Sequence, residues 1–267
     1  KALIISDDPF TDYNKLTKYF TPFEVWSGKD NEIHPTATIF PNVTLGDRVK
    51  IGRNTIIYPG TVIYSDVTIG DNVIIHSGTI LGADAFYYKK RVEGFDKLIS
   101  GGSVIIEDNV DIGALCTIDR GVSGNTTIKK GTKIDNQVQI GHDTIVGEKC
   151  LIASQTGVAG CVIIEDEVTL WGQVGTNSGI TIGKGAVVLG QTGVTKSVAG
   201  GKTYFGTPIE ESWMNRTNAQ EFSNLTEYDS KYKPMAGRYN VGETTNFILS
   251  PIMLNGLNQI NSWGINN

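Results

Sequence analysis

The sequence has no long uninterrupted apolar segment and no excess of basic residues. None of its apolar runs reaches the roughly 18 residues that a membrane-spanning helix needs, so no transmembrane segment is predicted. The formal net charge is −5 at pH 7 and the lysines and arginines are scattered, which argues against a nucleic-acid-binding protein. The opening ALII is too short for a secretory signal peptide, and we therefore expect a cytoplasmic protein.

Cysteine and histidine are also scarce, which limits disulfide and metal chemistry. The 3 cysteines cannot all pair and no CxxC motif occurs, so a reducing compartment is predicted. The histidines His34, His76 and His142 are far apart along the chain. One chain cannot bring them all within about 2.1 Å of a zinc ion. We therefore predict no bound metal.

What the sequence has instead is a six-residue repeat of aliphatic residues. Every sixth residue over 33–81, 106–118 and 128–194 is Ile, Leu or Val, except Thr176. A small or β-branched residue usually follows four positions later. Neither a helical nor a simple strand period explains this spacing, but a prism side made of a short strand and a tight corner does. Three sides would form one 18-residue coil.

This repeat predicts an all-β fold, a left-handed parallel β-helix with the cross-section of a triangular prism. The aliphatic residues would point inward and stack from coil to coil. The repeat supplies enough sides for eight coils, which corresponds to about 38 Å at about 4.8 Å per stacked strand. Cys116 and Cys150 fall on small inward positions and are predicted to be buried.

The repeat is interrupted over 83–102, where four aromatic residues stand beside a Lys-Lys-Arg run. The prism interior cannot hold such side chains, so we expect an excursion that loops out from one corner. Long loops on a rigid scaffold are usually functional. A second, smaller excursion is predicted over 119–127.

The two ends of the chain differ from the prism, which is predicted over 31–205. Residues 1–30 form a short α/β piece: ALII reads as a strand, and a helix is expected to follow with Asp8 as N-cap and Pro9 in its first turn. Residues 206–267 form an irregular, partly helical tail, in which a short helix over 210–228 is plausible.

His142 occupies a predicted corner, two residues after the inward Ile140, and points away from the core. A solvated corner histidine is the simplest interpretation. However, Gly160 lies eighteen residues further on, so its backbone should stack beside His142 with an unobstructed N–H. A histidine base beside an accessible backbone donor is the arrangement that acyl transfer requires. Asp135 or Asp143 could fix the histidine tautomer, and the spacing alone does not choose between them.

The motif IDNQVQIGHDTIVG, followed by LIASQTGVAG, resembles the UDP-3-O-acylglucosamine N-acyltransferases of lipid A biosynthesis. LGADAFYY, CTIDRG, WGQVG, GQTGVTKSV and GTPIEE are similar to further family motifs in the same order. The resemblance extends from residue 1 to about 211, and residues 1–30 look like the end of the family's uridine-binding domain.

The resemblance implies a homotrimer that transfers a 3-hydroxyacyl chain from acyl carrier protein to the 2-amine of a UDP-3-O-acylglucosamine. The acyl donor would be carried on phosphopantetheine, so no further cofactor is implied. His142 would be the general base, Asp135 the acidic residue that orients it, and Gly160 the oxyanion donor. The substrate-binding positions implied are Asp84, Phe86, Asn136, Gln139, Gln155 and Gln173.

Two other readings remain open at this point. One is a coenzyme A-dependent acetyltransferase of a nucleotide amino sugar on the same fold, although the aromatic content of 83–102 favours a longer acyl chain. The other is a non-catalytic β-helical scaffold, in which the repeat serves as a rigid spacer.

Overall fold

The chain folds into a three-faced parallel β-helix. The computed structural model describes residues 5–22, 25–207 and 209–211. Equivalent positions of successive coils pair in parallel, so that Ile51 lies beside Ile69 and Ile134 beside Ile152. These described residues form eight complete coils, each with one strand on every face. The predicted left-handed parallel β-helix is confirmed.

The strands, numbered along the chain, are nearly all two to four residues long and divide among three faces. The first face contains β1 (Glu32–Ile33), β4 (Lys50–Ile51), β7 (Thr68–Ile69), β12 (Ser103–Ile106), β15 (Asn125–Ile128), β18 (Ile145–Val146), β21 (Ile163–Ile164) and β24 (Thr181–Ile182). The second contains β2 (Thr38–Ile39), β5 (Ile56–Ile57), β8 (Ile74–Ile75), β13 (Asp111–Ile112), β16 (Lys133–Ile134), β19 (Leu151–Ile152), β22 (Thr169–Leu170), β25 (Val187–Val188), β27 (Thr203–Phe205) and β28 (Glu210–Glu211). The third contains β3 (Thr44–Leu45), β6 (Val62–Ile63), β9 (Ile80–Ala83), β14 (Thr117–Asp119), β17 (Gln139–Ile140), β20 (Gly157–Val158), β23 (Gly175–Thr176) and β26 (Gly193–Val194).

The core is the stack of inward aliphatic side chains, of which Ile57 and Ile63 are fully buried. The small inward positions are often threonine, because a threonine hydroxyl can bond to the backbone that turns at the corner. Thr132 Oγ1, for example, donates to the carbonyl of Gly147 at 2.8 Å. The predicted burial of Cys116 and Cys150 is also confirmed.

Removing an inward side chain should be costly, since the coils above and below cannot collapse into the space. We expect Ile57→Ala to lower the free energy of unfolding by about 2–5 kcal/mol. Ile145→Ala is the matched control, because that side chain is 37% exposed on an outer face and should cost less than about 1 kcal/mol. Denaturant unfolding of both variants measures the difference. Equal losses would contradict the inward stacking of Ile57.

Between β9 and β12 the chain leaves the coil and forms an antiparallel hairpin of β10 (Tyr88–Lys90) and β11 (Phe95–Lys97). The coil then resumes with Ile106 beside Ile69. The prism interior has no room for the aromatic side chains of this segment, so they lie outside it. The hairpin therefore projects from the corner where the third face meets the first.

Helix α1 (Pro9–Phe20) packs against this excursion. Its residues Phe10 and Tyr13 contact a small apolar cluster of Ala85, Leu98 and Val122. The hydroxyl of Tyr13 also donates to the Val122 carbonyl at 2.7 Å. The helix thereby ties the hairpin and the shorter loop after β14 together beside the prism.

The ends of the chain are described in part. Asp8 takes the predicted N-cap position of α1, whereas residues 1–4, with most of the predicted strand ALII, lie outside the described residues. The helix expected over 210–228 is wrong at its start, because β28 pairs antiparallel with β27. The open backbone edge of β27 offers hydrogen bonds that a helix would forgo. Residues 212–267 lie outside the described part.

No helix within residues 5–22, 25–207 and 209–211 is long and apolar enough to cross a membrane.

Candidate active site

His142 lies at the corner between β17 and β18, in a Gly-His-Asp turn. Asp143 adopts a left-handed backbone conformation, with φ of 54°, which turns its carboxylate back toward the preceding ring. The distance from His142 Nδ1 to Asp143 Oδ2 is 2.8 Å, and the histidine side chain is only 12% exposed. A carboxylate can only accept, so Nδ1 carries a proton, and in the neutral ring Nε2 is the nitrogen with the free lone pair.

Asp143 also anchors the loop that follows β14. Its two carboxylate oxygens accept hydrogen bonds from the backbone N–H of Val122 at 2.9 Å and of Gly124 at 3.1 Å. Burial raises the pKa of Asp143, but the hydrogen bonds from Val122, His142 and Gly124 outweigh it, and the pKa is lowered overall. The carboxylate therefore stays ionised and holds His142 in one tautomer.

Gly160 lies one coil along from His142, as the eighteen-residue stacking predicted. A Cβ built on Gly160 would lie 2.4 Å from His142 Nε2, so only glycine leaves room for the ring. Within the described residues, the Gly160 N–H makes no hydrogen bond. The His142 ring and a backbone residue with an unused N–H donor therefore meet at the same corner.

Gly160→Ala should displace the His142 ring and lower activity by about ten- to a hundredfold, the usual effect of misplacing a catalytic group by about 1 Å. Gly157→Ala is the matched control, because no described heavy atom lies within 4 Å of a Cβ added there. Steady-state rates of both variants, with circular dichroism as a check of folding, test this. Full activity in Gly160→Ala would contradict the tight approach of ring and backbone.

Within this chain the carboxylate that contacts His142 is that of Asp143, not that of Asp135, and the role predicted for Asp135 stays a prediction. The Asp135 carboxylate instead accepts from the backbone and side-chain N–H groups of its neighbour Asn136, at 2.7 and 2.9 Å. Asp135 follows β16, one prism side before His142, and six residues of extended chain span about 20 Å. The two side chains thus occupy different corners of the same coil.

Gln139 does lie near His142, on the outer surface of β17. Its Nε2 donates to Asp119 Oδ2 at 2.9 Å, and its Oε1 accepts from the Thr117 hydroxyl. Burial raises the pKa of Asp119, although the Gln139 hydrogen bond and the charge of His142 oppose that shift. Asp119 belongs to the CTIDRG motif, to which sequence reasoning assigned no role.

The excursion hairpin reaches the site through Tyr87, whose ring meets the His142 ring edge to face at a centroid distance of 5.5 Å. The residues predicted to bind substrate here lie further out. Asp84 forms an ion pair with Lys97 at 2.5 Å, and Phe86 is 86% exposed. Tyr87, which follows Phe86 in the sequence, is the residue of the excursion that contacts the histidine.

Three other predicted substrate residues lie at the corner between the second and third faces, away from His142 in this chain. Asn136 Oδ1 accepts from the Ala114 backbone at 2.7 Å. Gln155 and Gln173 belong to a ladder in which each side-chain amide donates to the glutamine one coil before it, at 2.7 Å for this pair. These hydrogen bonds give all three a structural role in the corner.

Cys161 is a further neighbour that sequence reasoning did not assign. It is exposed, and its Sγ lies 4.0 Å from His142 Nδ1. The ligating atoms of His142, Asp143 and Cys161 all fall within 4.8 Å of one another, close enough in principle for a metal. Burial and the charge of Asp143 raise the pKa of the Cys161 thiol, which keeps it in the neutral form that binds metals poorly.

Comparison with known proteins agrees with this fold and these motifs. Residues 48–83 and 125–160 match the family of bacterial transferase hexapeptide repeats. The UDP-3-O-acylglucosamine N-acyltransferase of Campylobacter lari is 39% identical over 120 residues, which is 44% of this chain and 38% of that protein. The enzyme of the same name from Methylobacterium nodulans is 40% identical over 117 residues, 44% of this chain and 33% of that protein.

A solved structure of UDP-N-acetylglucosamine acyltransferase from Francisella novicida superposes with a TM-score of 0.58 at 25% identity and covers 74% of this chain and 77% of that one. The chain spans between a third and two fifths of the length of the two curated relatives. Over that segment it is similar to UDP-3-O-acylglucosamine N-acyltransferases, which confirms the resemblance predicted from its motifs.

Proposed function

We propose that the chain is an N-acyltransferase that moves a 3-hydroxyacyl group from acyl carrier protein to the 2-amine of a UDP-3-O-acylglucosamine. His142 Nε2 takes a proton from the amine as it attacks the thioester carbonyl. The Gly160 N–H stabilises the oxyanion of the tetrahedral intermediate. Collapse of that intermediate breaks the carbon–sulfur bond, and the phosphopantetheine thiol leaves with a proton.

The observation that carries this proposal is the orientation of His142. Asp143 Oδ2 lies 2.8 Å from His142 Nδ1 and fixes the ring, and His142 Nε2 lies against the backbone of Gly160. A merely solvated corner histidine would need neither a half-buried carboxylate partner nor a glycine one coil away. The relatives that share these motifs are named for this reaction, which supports the choice of acceptor.

The excursion hairpin supports a long acyl chain over an acetyl group. Tyr87 contacts His142, and the exposed rings of Phe86 and Phe95 extend apolar surface away from it. An acetyl group needs no such surface. We further propose a cytoplasmic homotrimer in which neighbouring prisms complete the acceptor and donor sites.

The test is to give the purified chain 3-hydroxyacyl-acyl carrier protein with UDP-3-O-acylglucosamine, and to identify the product by mass spectrometry. A new amide on the 2-amine is the expected product. Parallel reactions contain acetyl-coenzyme A with a UDP-amino sugar, or UDP-N-acetylglucosamine as acceptor. Transfer only from acetyl-coenzyme A, or only to a hydroxyl, would refute the proposed substrates. No transfer in any reaction would favour a non-catalytic scaffold.

A further inference from the structure

A cavity of about 590 Å³ lies on the same corner of the prism as His142, beyond the loop that Asp143 holds. Its walls include the arginines Arg48 and Arg120, the backbone of Gly102, and the Ser123–Gly124 turn, and the end of helix α1 closes one side. The volume is in the range of small-molecule sites. The acyl-transfer chemistry described above uses none of these side chains.

Arg120 is the unusual residue of this cavity. Its side chain is 13% exposed, and burial lowers its pKa. A guanidinium has five N–H donors, yet Arg120 makes one hydrogen bond, from Nε to the Gly102 carbonyl at 2.7 Å. Its nearest carboxylate oxygen, on Asp66, is 3.9 Å away. A largely buried cation with most of its donors unused is costly unless an anion joins it.

Asp66 is engaged mainly by Arg48. Its carboxylate accepts two hydrogen bonds from Arg48, from Nε at 2.7 Å and from Nη2 at 3.1 Å. This fork-to-fork pair holds Asp66 beyond hydrogen-bonding distance of Arg120. Among the described residues, the terminal nitrogens of Arg120 therefore keep their N–H donors unused.

The opposite wall supplies neutral donors and a link to the active site. The N–H and hydroxyl of Ser123 make no hydrogen bond to other described residues. The next residue, Gly124, donates its N–H to Asp143 at 3.1 Å, and Asp143 in turn holds His142. A ligand bound here would therefore lie next to the residue that positions the base.

We propose that this cavity binds a phosphate group, with Arg120 as its main partner and Ser123 as a second donor. A phosphate ester matches the planar fork of an arginine, because two phosphate oxygens can accept from two parallel N–H donors. The identity of the molecule that carries the phosphate rests on the proposed function: it is either the diphosphate of the nucleotide sugar or the phosphopantetheine of the donor.

The experiment measures binding directly, by titration calorimetry of the full chain with inorganic phosphate, UDP and 4′-phosphopantetheine in separate runs. Arg120→Gln should weaken phosphate binding on the order of ten- to a hundredfold, the usual effect of losing a charged hydrogen-bonding partner. Arg53→Gln is the matched control, since Arg53 pairs with Asp71 at 2.7 Å on another corner and does not line the cavity. Whichever of UDP and phosphopantetheine loses affinity in Arg120→Gln identifies the source.

Unchanged affinity of all three ligands in Arg120→Gln, or no binding of any by the wild type, would overturn the proposal. If Arg120→Gln fails to fold, Arg120→Lys takes its place. A lysine keeps the positive charge but lacks the paired N–H donors of the guanidinium, so weaker phosphate binding is again expected. Phosphate binding should be unaffected in His142→Ala. Failure of the phosphate site is therefore separable from failure of the proposed acyl transfer.

Discussion

His142→Ala is expected to lower the rate of acyl transfer about a thousandfold, within the range typical of losing a general base. The amine would then have to lose its proton to water, and the attack on the thioester would be correspondingly slower. Since the side chain lies at a corner and outside the aliphatic core, the fold should survive. Single-turnover rates with acyl carrier protein as donor measure the loss.

The matched control is His34→Ala. His34 also lies at a corner of the prism, but its Nδ1 faces the Thr36 hydroxyl at 3.0 Å and forms no hydrogen bond with a described carboxylate. It should transfer acyl chains at the wild-type rate. If His142→Ala retained full activity with an intact oligomer, His142 would be a structural corner residue and another base would be required.

The coil path could be predicted from the sequence because each side carries its own inward aliphatic residue. The position of the excursion could also be predicted, since its aromatic and charged side chains cannot enter the prism. Its internal hairpin and the docking of α1 could not. They depend on contacts between distant segments, such as the hydrogen bond from Asn14 to the Lys97 carbonyl at 2.9 Å.

The candidate site was predictable to a similar extent. His142 and Gly160 follow from the stacking of equivalent residues on successive coils. Asp143 shares a corner with His142 and its carboxylate reaches Nδ1, whereas Asp135 lies one prism side earlier and bonds to Asn136. The residue spacing alone does not give these side-chain directions. The sequence did not single out Arg120, because its interest depends on its burial and on its proximity to Asp66. That residue lies more than fifty positions earlier in the chain.

The choice between these two aspartates leads to the second large expected effect. Asp143→Asn should lower acyl transfer about a hundred- to a thousandfold, up to the loss expected for the base itself, because a histidine in the wrong tautomer cannot accept the proton. The carboxylate oxygens accept from His142, Val122 and Gly124. An amide offers one oxygen in their place, so its NH₂ group must face at least one N–H donor.

With the NH₂ group toward His142, the ring would shift its proton to Nε2 and lose its function as a base. With the NH₂ group toward Gly124, the loop after β14 would be pushed away.

Asp135→Asn is the matched control, because one Asp135 oxygen, Oδ1, accepts both hydrogen bonds from Asn136. An asparagine oxygen can do the same, and activity should be unchanged. The ratio of the two variant rates therefore separates the aspartates directly. A larger loss in Asp135→Asn than in Asp143→Asn would mean that a neighbouring subunit brings Asp135 to the base, and that the pairing within one chain is not the catalytic one.

Asp143→Asn should also change the stability of the protein in acid. Because the folded state lowers the pKa of Asp143, its carboxylate stabilises the fold at pH values above the unfolded pKa of about 3.9. That contribution is lost as the pH falls below this value and through the lowered folded pKa. Wild type should therefore exceed Asp143→Asn in stability at pH 7, and the difference should shrink on acidification. A difference that stayed constant down to the acid transition would mean that Asp143 holds the loop and the histidine by shape, and not by charge.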